Sequence, residues 1–191
     1  MQHRRIFIAI DISTEARRVC SDHIEGLRNE FREVRVGWER REKLHITLKF
    51  LGNVDDRLIP DVQTHILNVA AHHGPFQLKM TLPGVFPSSS KPRILWLGLD
   101  DRSNASSSLY KELETVCSRL GFKSEARAFK PHITIGRIRE SEKAADLAKE
   151  HLAREIEPVG FEVAEIVLYQ SVLQPTGSVY SVVSRAKLGC A

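Results

Sequence analysis

The sequence predicts one α+β domain made of two similar lobes, whose most distinctive strands meet in a central cleft. The first observation is a short phrase that the chain of 191 residues contains twice, His45-Ile46-Thr47-Leu48 and His132-Ile133-Thr134-Ile135. The second is that the elements around both copies follow the same order. The third is the spacing of equivalent positions, which stays nearly constant along the chain. Together these observations indicate a structural repeat.

Each copy of the phrase has the alternation of a β-strand. Residues i and i+2 of a strand point to one face of a sheet, and residue i+1 points to the other. Each copy therefore presents an imidazole and a hydroxyl on one surface and buries its apolar residues on the opposite one. Two such strands side by side would bring two histidines and two threonines to one site.

In the first half, an apolar strand is followed by a helix, the first motif strand, a second helix and a further strand. Ser13 or Thr14 can cap the first helix. Gly52-Asn53 ends the motif strand, and Gly74-Pro75 ends the second helix. We predict strands over about residues 5–10, 45–52 and 76–80, and helices over about residues 14–31 and 56–73.

The second half repeats this order and adds a final strand. Residues 83–92 are rich in Pro and Ser and are the best candidate for a linker, although they are too few to separate independent domains. We therefore treat residues 1–191 as one domain with lobes of about 1–82 and 93–191. The predicted strands cover about residues 93–97, 132–135, 161–168 and 179–186, and the predicted helices cover 103–120 and 141–154. The pairs Ile6/Ile94, His45/His132 and Phe76/Phe161 are separated by 88, 87 and 85 residues.

Composition and charge are those of an ordinary soluble globule, with 42% hydrophobic and 27% charged residues. The net charge of +4 suits RNA, but many proteins without such a partner share it. The three cysteines, Cys20, Cys117 and Cys190, form no Cys-x-x-Cys motif, so neither a zinc site nor a disulfide framework is indicated. We expect the first two in the core and Cys190 exposed at the tail. Without a signal peptide or a membrane span, we expect a cytoplasmic monomer with no membrane partner.

The residues of the two motifs suit chemistry at a phosphate ester. One imidazole can protonate a departing oxygen while another deprotonates an attacking water, since the usual pKa of histidine is about 6.5. Hydroxyls of Thr47 and Thr134 can donate hydrogen bonds to the non-bridging oxygens. Arg137 is the guanidinium nearest to a motif. Its odd spacing from His132 places it on the other face unless the strand bends near Gly136.

The sequence does not favour a metal site, and the other histidines, tryptophans and lysines have ordinary structural uses. A binuclear metal site would need carboxylates or further histidines, and neither motif strand carries them, so we expect no metal and no other cofactor. We expect His23, His65 and His151 on helix surfaces and His72-His73 at a helix end, where they complement the dipole. The tryptophans Trp38 and Trp96 pack in the core or stack on bases. Lys43, Lys49 and Lys130 steer a polyanion or are merely solvated.

The two motifs resemble the paired signatures of a known superfamily. Residues 44–52 (LHITLKFLG) and 129–137 (FKPHITIGR) are similar to those of the two-histidine (2H) phosphoesterases. The branch they resemble best is that of the RNA 2′,3′-cyclic phosphodiesterases, also called 2′-5′ RNA ligase-like proteins. The likeness extends to residues 5–10, 92–98 and 168–171, and it therefore covers nearly the whole chain in order.

The resemblance implies a bilobal fold with a groove between two antiparallel sheets and helices on the outside. It also implies metal-free hydrolysis of RNA ends that bear a 2′,3′-cyclic phosphate, leaving a 2′-phosphate. His45 would donate a proton to the leaving oxygen and His132 would activate water, while Thr47, Thr134 and Arg137 would hold the phosphate. The sequence departs from the family before the first motif, where relatives commonly have prolines and this chain has Glu39-Arg40-Arg41-Glu42. The departure concerns the rim of the groove and substrate choice.

Two alternative functions remain open from the sequence. The first is a non-catalytic module that binds RNA ends through its basic surface without turnover. The second is a phosphodiesterase that acts on a small cyclic nucleotide. A minor reverse reaction is also expected of the enzyme, in which a ribose hydroxyl replaces water and a 2′-5′ linkage forms.

Overall fold

The computed structural model describes residues 2–139, 142–175 and 177–189. The bounds of the elements are set out here in chain order. The strands are β1 (His3–Asp11), β2 (Val36–Trp38), β3 (His45–Asp55), β4 (Phe76–Ser88), β5 (Lys91–Asp100), β6 (His132–Ile138), β7 (Gly160–Val163), β8 (Glu165–Gln174) and β9 (Gly177–Lys187). The α-helices are α1 (Thr14–Glu30), α2 (Ile59–Ala71), α3 (Ala105–Arg119) and α4 (Ala144–Ala153).

The strands form an antiparallel sheet in the order β7-β4-β5-β6-β3-β1-β8-β9, and β2 adds to β6. The two motif strands, β3 and β6, lie at the centre of this order. They are joined at one residue pair, Ile46 with Ile133. The predicted α+β class and antiparallel pairing are confirmed, and the two sheets that we expected are linked through this pair.

The strands of the two sequence halves are interleaved. β4 comes from the first half and pairs with β5 and β7, whereas β8 comes from the second half and pairs with β1 and β9. The predicted equivalence of Phe76 and Phe161 is therefore wrong. Phe76 pairs with Val163, and Leu78 pairs with Phe161, so these phenylalanines lie on neighbouring strands.

The core lies between the helices and one face of the sheet. The apolar residues of β1, β3, β5 and β6 that alternate toward this face pack against apolar residues of all four helices. Ser13 caps α1, since its Oγ accepts a hydrogen bond from the amide of Ala16 at 3.1 Å. Cys20 and Cys117 are buried in this core, as we expected. Cys190 lies outside the described residues.

Several boundaries differ from the prediction for local reasons. The expected linker, residues 83–92, is instead the end of β4, a two-residue turn and the start of β5, because β4 accommodates Pro83 and Pro87 at irregularities in its register. A 3-10 turn over Asp56–Leu58 delays α2, which has a proline in its first turn. β2 was not among the predicted strands. The predicted start of the last helix, Ser141, lies outside the described residues.

Candidate active site

The structure brings the two His-x-Thr phrases together at the centre of the sheet. Ile46 and Ile133, which pair across β3 and β6, are both buried in the core. The flanking histidines and threonines point away from that core, and all four are half-buried. Extension of the antiparallel register by one residue in each direction sets each histidine opposite the threonine of the other strand. These pairs are His45 with Thr134 and His132 with Thr47.

The two imidazoles are held in the same way. Nδ1 of His45 donates to the carbonyl of Lys43 at 2.6 Å, and Nδ1 of His132 donates to the carbonyl of Lys130 at 2.7 Å. A carbonyl can only accept, so in each ring the Nδ1 atom carries the proton and Nε2 is the atom that can exchange one. Residues at diagonal positions on paired strands are about 7–8 Å apart, so His45 and His132 start from neighbouring positions on one face of the sheet.

The threonines differ in their contacts. The Oγ1 atom of Thr47 lies 3.0 Å from Nε2 of His45, and it donates to that nitrogen when the imidazole is neutral. Among the described residues, no such hydrogen bond joins His132 to Thr134. When His45 is protonated, its Nε2 donates to Oγ1 of Thr47, and the hydroxyl hydrogen of Thr47 can then point toward a ligand. The hydroxyl of Thr134 has no such bond to its own histidine and can rotate toward a ligand directly.

Aromatic rings surround both imidazoles. The ring of His45 lies 5.1 Å from that of Phe7 and 5.6 Å from that of Tyr180, measured between centroids. The ring of His132 lies 5.3 Å from Phe86 and 5.8 Å from Trp96. Such walls exclude water from the imidazoles and strengthen electrostatic interactions at the site.

Two lysines that we predicted to flank the motifs lie over these aromatic walls. Nζ of Lys130 lies 4.3 Å from the ring centroid of Trp96, and Nζ of Lys43 lies 5.7 Å from that of Tyr180. These are cation–π distances. Each lysine therefore contributes its carbonyl to a histidine and places its ammonium group at the rim of the cleft.

A β-bulge in β6 turns Arg137 toward the cleft. Thr134 pairs with Trp96 but Gly136 pairs with Leu95, so Ile135 is the extra residue. After the bulge, Arg137 is exposed on the same face as His132. This is the bend near Gly136 on which the sequence prediction depended.

The first motif strand has the same bulge at the matching place. Thr47 pairs with Ala9 and Lys49 pairs with Ile8, so Leu48 is the extra residue. As a result Phe50 takes the position equivalent to Arg137, and its side chain is 58% exposed. The cleft therefore has a cation at one end and an exposed aromatic ring at the other.

The same bulge explains a wrong prediction. We expected Lys49 at the rim or in solvent, but its side chain is buried on the helix side of the sheet. Its Nζ contacts a carboxylate oxygen of Glu114 at 2.6 Å and donates to the carbonyl of Lys123 at 2.7 Å. Lys49 thus anchors the segment that leads into β6 and is unavailable to steer a ligand.

The charges near the histidines differ between the two motifs. Burial lowers the pKa of His45, while the Lys43 carbonyl and the carboxylate of Asp11 partly raise it again. Burial also lowers the pKa of His132; the Lys130 carbonyl partly raises it again, and the cations Arg137 and Lys130 lower it further. Arg137 lowers the pKa of both histidines. It therefore lies within electrostatic reach of both.

The structure adds three residues that the sequence did not reveal. Asp11 of β1 pairs across the sheet with His45, Glu39 lies 3.7 Å from Nε of Arg137, and Tyr180 of β9 stands against His45. Burial raises the pKa of Glu39, and Arg137 partly lowers it. Asp11 ends an apolar strand, and this was the signal that could have identified it. Glu39 and Tyr180 lie on elements whose place beside the motifs depends on tertiary structure.

Two histidines that we expected on helix surfaces are buried instead. Nε2 of His23 lies 2.8 Å from Nδ1 of His151, and Nε2 of His151 donates to the carbonyls of Gly84 and Trp96. His65 is half-exposed on α2. At the end of the same helix, His72 and His73 contact Glu112. Trp96 is buried and Trp38 is half-buried.

No group of three or more histidine, cysteine, aspartate or glutamate side chains is arranged to hold a metal ion in the part of the chain that the structure describes. In that same part, no helix is long and apolar enough to cross a bilayer.

With this geometry established, the chain can be compared with known proteins. Residues 17–174 match the model of the 2′-5′ RNA ligase superfamily. The chain belongs to the 2′-5′ RNA ligase superfamily. This membership confirms the resemblance to the two-histidine phosphoesterases that the paired motifs indicated.

Curated members of this superfamily align with almost the whole chain. An RNA 2′,3′-cyclic phosphodiesterase of Methanocaldococcus jannaschii is 33% identical over 182 residues, which are 94% of this chain and 98% of the relative. One of Thermotoga maritima is 34% identical over 180 residues, which are 93% and 92% of the two chains.

Solved structures with the same fold cover nearly the whole chain. A protein of Thermus thermophilus has a TM-score of 0.80 at 24% identity, with 97% of this chain and 98% of the other covered. Escherichia coli LigT in complex with 3′-AMP has a TM-score of 0.73 at 26% identity, with 98% and 99% covered.

Proposed function

We propose that this protein hydrolyses RNA ends that carry a 2′,3′-cyclic phosphate and leaves a 2′-phosphomonoester. The two curated relatives described above are named for an activity on this kind of phosphate and align with nearly the whole chain. The observation that carries the proposal is the matched pair of histidines. Each donates its Nδ1 proton to a backbone carbonyl, so each has an Nε2 atom available for proton transfer in the same cleft.

The reaction is a single in-line displacement at phosphorus. Nε2 of His132 takes a proton from water as the water oxygen forms a bond to phosphorus. The bond between phosphorus and the ribose 3′ oxygen breaks, and protonated His45 gives its Nε2 proton to that oxygen. The products are a 3′-hydroxyl and a 2′-phosphate, and the two histidines end with their protonation states exchanged.

The local charges support this assignment of the two roles. A general acid must start protonated, and Asp11 is the carboxylate that raises the pKa of His45. A general base must start neutral, and His132 is flanked by Arg137 and Lys130, which keep its pKa low. Binding of the anionic phosphate raises the pKa of both histidines, and this favours protonation of His45 in the complex.

The remaining site residues stabilise charge. Thr47 and Thr134 donate hydrogen bonds to the non-bridging oxygens, where negative charge accumulates in the transition state. Arg137 neutralises the same charge from the side of His132. Two imidazoles are sufficient to move both protons, so the mechanism requires no metal ion and no other cofactor.

The same arrangement supports a minor ligation reaction. A 5′-hydroxyl RNA end in place of water would attack phosphorus in the same sense, giving its proton to His132 while His45 protonates the departing 3′ oxygen, and a 2′-5′ linkage would form. Water is present at about 55 M, so ligation competes only when both RNA ends are held together at a high effective concentration.

The decisive experiment uses a synthetic RNA that ends in a 2′,3′-cyclic phosphate, incubated with the protein in excess EDTA. We expect conversion to the 2′-phosphate, identified by phosphorus NMR against both monoester standards. Formation of the 3′-phosphate would exclude His45 as the donor to the 3′ oxygen. Tight RNA binding without any product would favour the non-catalytic module that the sequence left open.

A further inference from the structure

A second basic surface lies beside the candidate active site. A groove of about 1050 Å³ runs between the end of α1 and strand β2, and Phe31 and Trp38 contribute aromatic surface to it. Arginines line the groove from both sides. They are Arg28, Arg32, Arg35, Arg139 and Arg40, and all are exposed. We call the first four of these residues the arginine groove.

The cations of the arginine groove lack acidic partners. In the described part of the chain, none of its four guanidinium groups lies within 4 Å of a carboxylate, whereas Arg137 lies 3.7 Å from Glu39. Glu25 is the acidic residue that the structure places along the groove lining. An exposed cluster of guanidinium groups without acidic partners is the electrostatic signature of a surface that binds a polyanion.

Two of these arginines face each other across neighbouring strands. The amide of Arg139 donates to the carbonyl of Arg35 at 2.8 Å, and the pairing of Gly37 with Arg137 continues the same register. Like charges directly opposite each other destabilise a sheet. A bound anion would remove this repulsion, which makes the pair a strong candidate for a phosphate contact.

One residue of the arginine groove, Arg139, lies on the strand face that carries Arg137 of the candidate active site. Arg137 and Arg139 are two residues apart on the same chain, with buried Ile138 between them, so they share one face. Residues at this spacing are about 6.8 Å apart along a strand. A line of positive charge therefore leads from the phosphate site at His132 to the groove.

Trp38 contributes to the wall of the groove on the helix side of the sheet. It pairs with Gly136 across β2 and β6, and a Cβ atom at residue 136 would lie only 2.9 Å from its ring. The indole therefore packs over Gly136 against the hydrophobic core, on the face opposite Arg137.

We propose that the arginine groove binds the phosphodiester backbone of the RNA strand that precedes the cyclic phosphate. The inference rests on the proposed function, because the terminal phosphate in the cleft sets where the preceding nucleotides lie. It assigns the substrate class as RNA ends with several nucleotides and not free cyclic mononucleotides, which the groove cannot engage.

The test compares two substrates, cytidine 2′,3′-cyclic phosphate and an RNA octanucleotide with the same terminus. Arg35→Glu/Arg139→Glu should lower kcat/KM for the octanucleotide about tenfold or more and change that for the mononucleotide less than about twofold. The salt dependence of octanucleotide kcat/KM should become shallower by about 0.7 for each lost phosphate contact, or about 1.4 in all.

The matched control carries the same change of charge on another surface. Arg119 and Arg127 are exposed and line a separate concavity between α3 and the segment before β6. Arg119→Glu/Arg127→Glu should leave octanucleotide turnover near that of the wild type. An equal loss in both double variants would indicate general charge steering and would overturn the proposal, as would an equal loss on both substrates.

Direct binding separates this proposal from the proposed function. Fluorescence anisotropy with a labelled octanucleotide that ends in a 2′-phosphate requires no turnover. The groove variant should weaken binding about tenfold at low salt, and the control variant should not. If the wild type hydrolyses neither substrate but the groove variant alone loses binding, the proposed function fails and the groove stands. Unchanged binding in the groove variant rejects the groove whatever the activity.

Discussion

Asp11 lies opposite His45 in the register of β1 and β3, whereas Gly98 takes the equivalent position opposite His132 in the register of β5 and β6. The two otherwise similar motifs therefore differ in one carboxylate. The hydroxyl of Tyr169 donates a hydrogen bond to Oδ1 of Asp11 at 2.8 Å and holds this carboxylate in place. The proposed unequal roles of the two histidines rest on this asymmetry.

Replacement of this carboxylate should shift one limb of the pH profile. The basic limb of kcat/KM reports deprotonation of the general acid, and the acidic limb reports protonation of the general base. Because Asp11 raises the pKa of His45, Asp11→Asn should move the basic limb to lower pH and leave the acidic limb in place. Tyr169→Phe is the control, since it keeps the carboxylate. A shift of the acidic limb would reverse the assigned roles.

The two histidines should respond differently to a better leaving group. We expect His45→Ala and His132→Ala each to lower kcat/KM for the cyclic RNA end by about 10²–10⁴. An aryl phosphodiester with a nitrophenolate leaving group needs no protonation of the departing oxygen. His45→Ala should therefore recover much of its activity on that substrate, and His132→Ala should not. Circular dichroism checks that both variants are folded, and equal recovery would contradict the assignment.

Gly136 should be intolerant of a side chain. An added Cβ would meet Cε3 of Trp38 and Cγ1 of Val36, both at 2.9 Å. Gly136→Ala should therefore push β2 from β6 and destabilise the protein by about 1–3 kcal/mol, measured by urea unfolding. Gly37→Ala is the matched control on the facing strand, because its nearest contact would be an ordinary 3.7 Å to the Arg137 carbonyl. Equal losses in the two variants would show that crowding at Trp38 is not the cause.

The buried histidine pair should make the fold sensitive to acid. Burial, and then the charge of His151, lower the pKa of His23 to about 3. A histidine of the unfolded chain has a pKa of about 6.5. Between about pH 3 and pH 6.5 the unfolded chain therefore binds more protons than the folded protein, and the free energy of unfolding decreases as the pH falls below about 6.5. The loss should approach about 1.4 kcal/mol per pH unit for each histidine that stays neutral in the fold.

Urea unfolding at several pH values measures this slope. His23→Gln should flatten it, while His65→Gln on α2 should retain the slope of the wild type. Where His23→Gln does not fold, His151→Gln addresses the same pair from α4. A wild-type slope in every folded variant would assign the acid sensitivity to other groups.

The sequence was sufficient for features that depend on local periodicity. The two-residue period of a strand placed the histidines and threonines of both motifs on one face, and their apolar neighbours in the core. Prediction from the sequence failed where a β-bulge changed this two-residue period. The extra residues Leu48 and Ile135 turned Lys49 into the core and Arg137 toward the cleft, and only a glycine in the second motif hinted at this.

Other misses reflect tertiary packing that overrides local signals. His23 lies in the apolar period of α1, four residues from Val19 and Leu27, so its burial had a sequence signal that its polarity concealed. Pro83 and Pro87 suggested a linker, yet β4 tolerates them at places where the ladder is already irregular. β2 covers three residues and owes its place to pairing with β6.

The crossing of strands between the two sequence halves makes those halves mutually dependent. A peptide-bond cut in the turn at residues 89–90 would give an N-terminal fragment without β8 and β9, which cover Phe7 beside His45. It would give a C-terminal fragment without β4, which supplies Phe86 beside His132. Neither fragment would keep a complete half of the reaction centre. Catalysis by such fragments would require them to reassociate, so this chain cannot be divided into autonomous repeats.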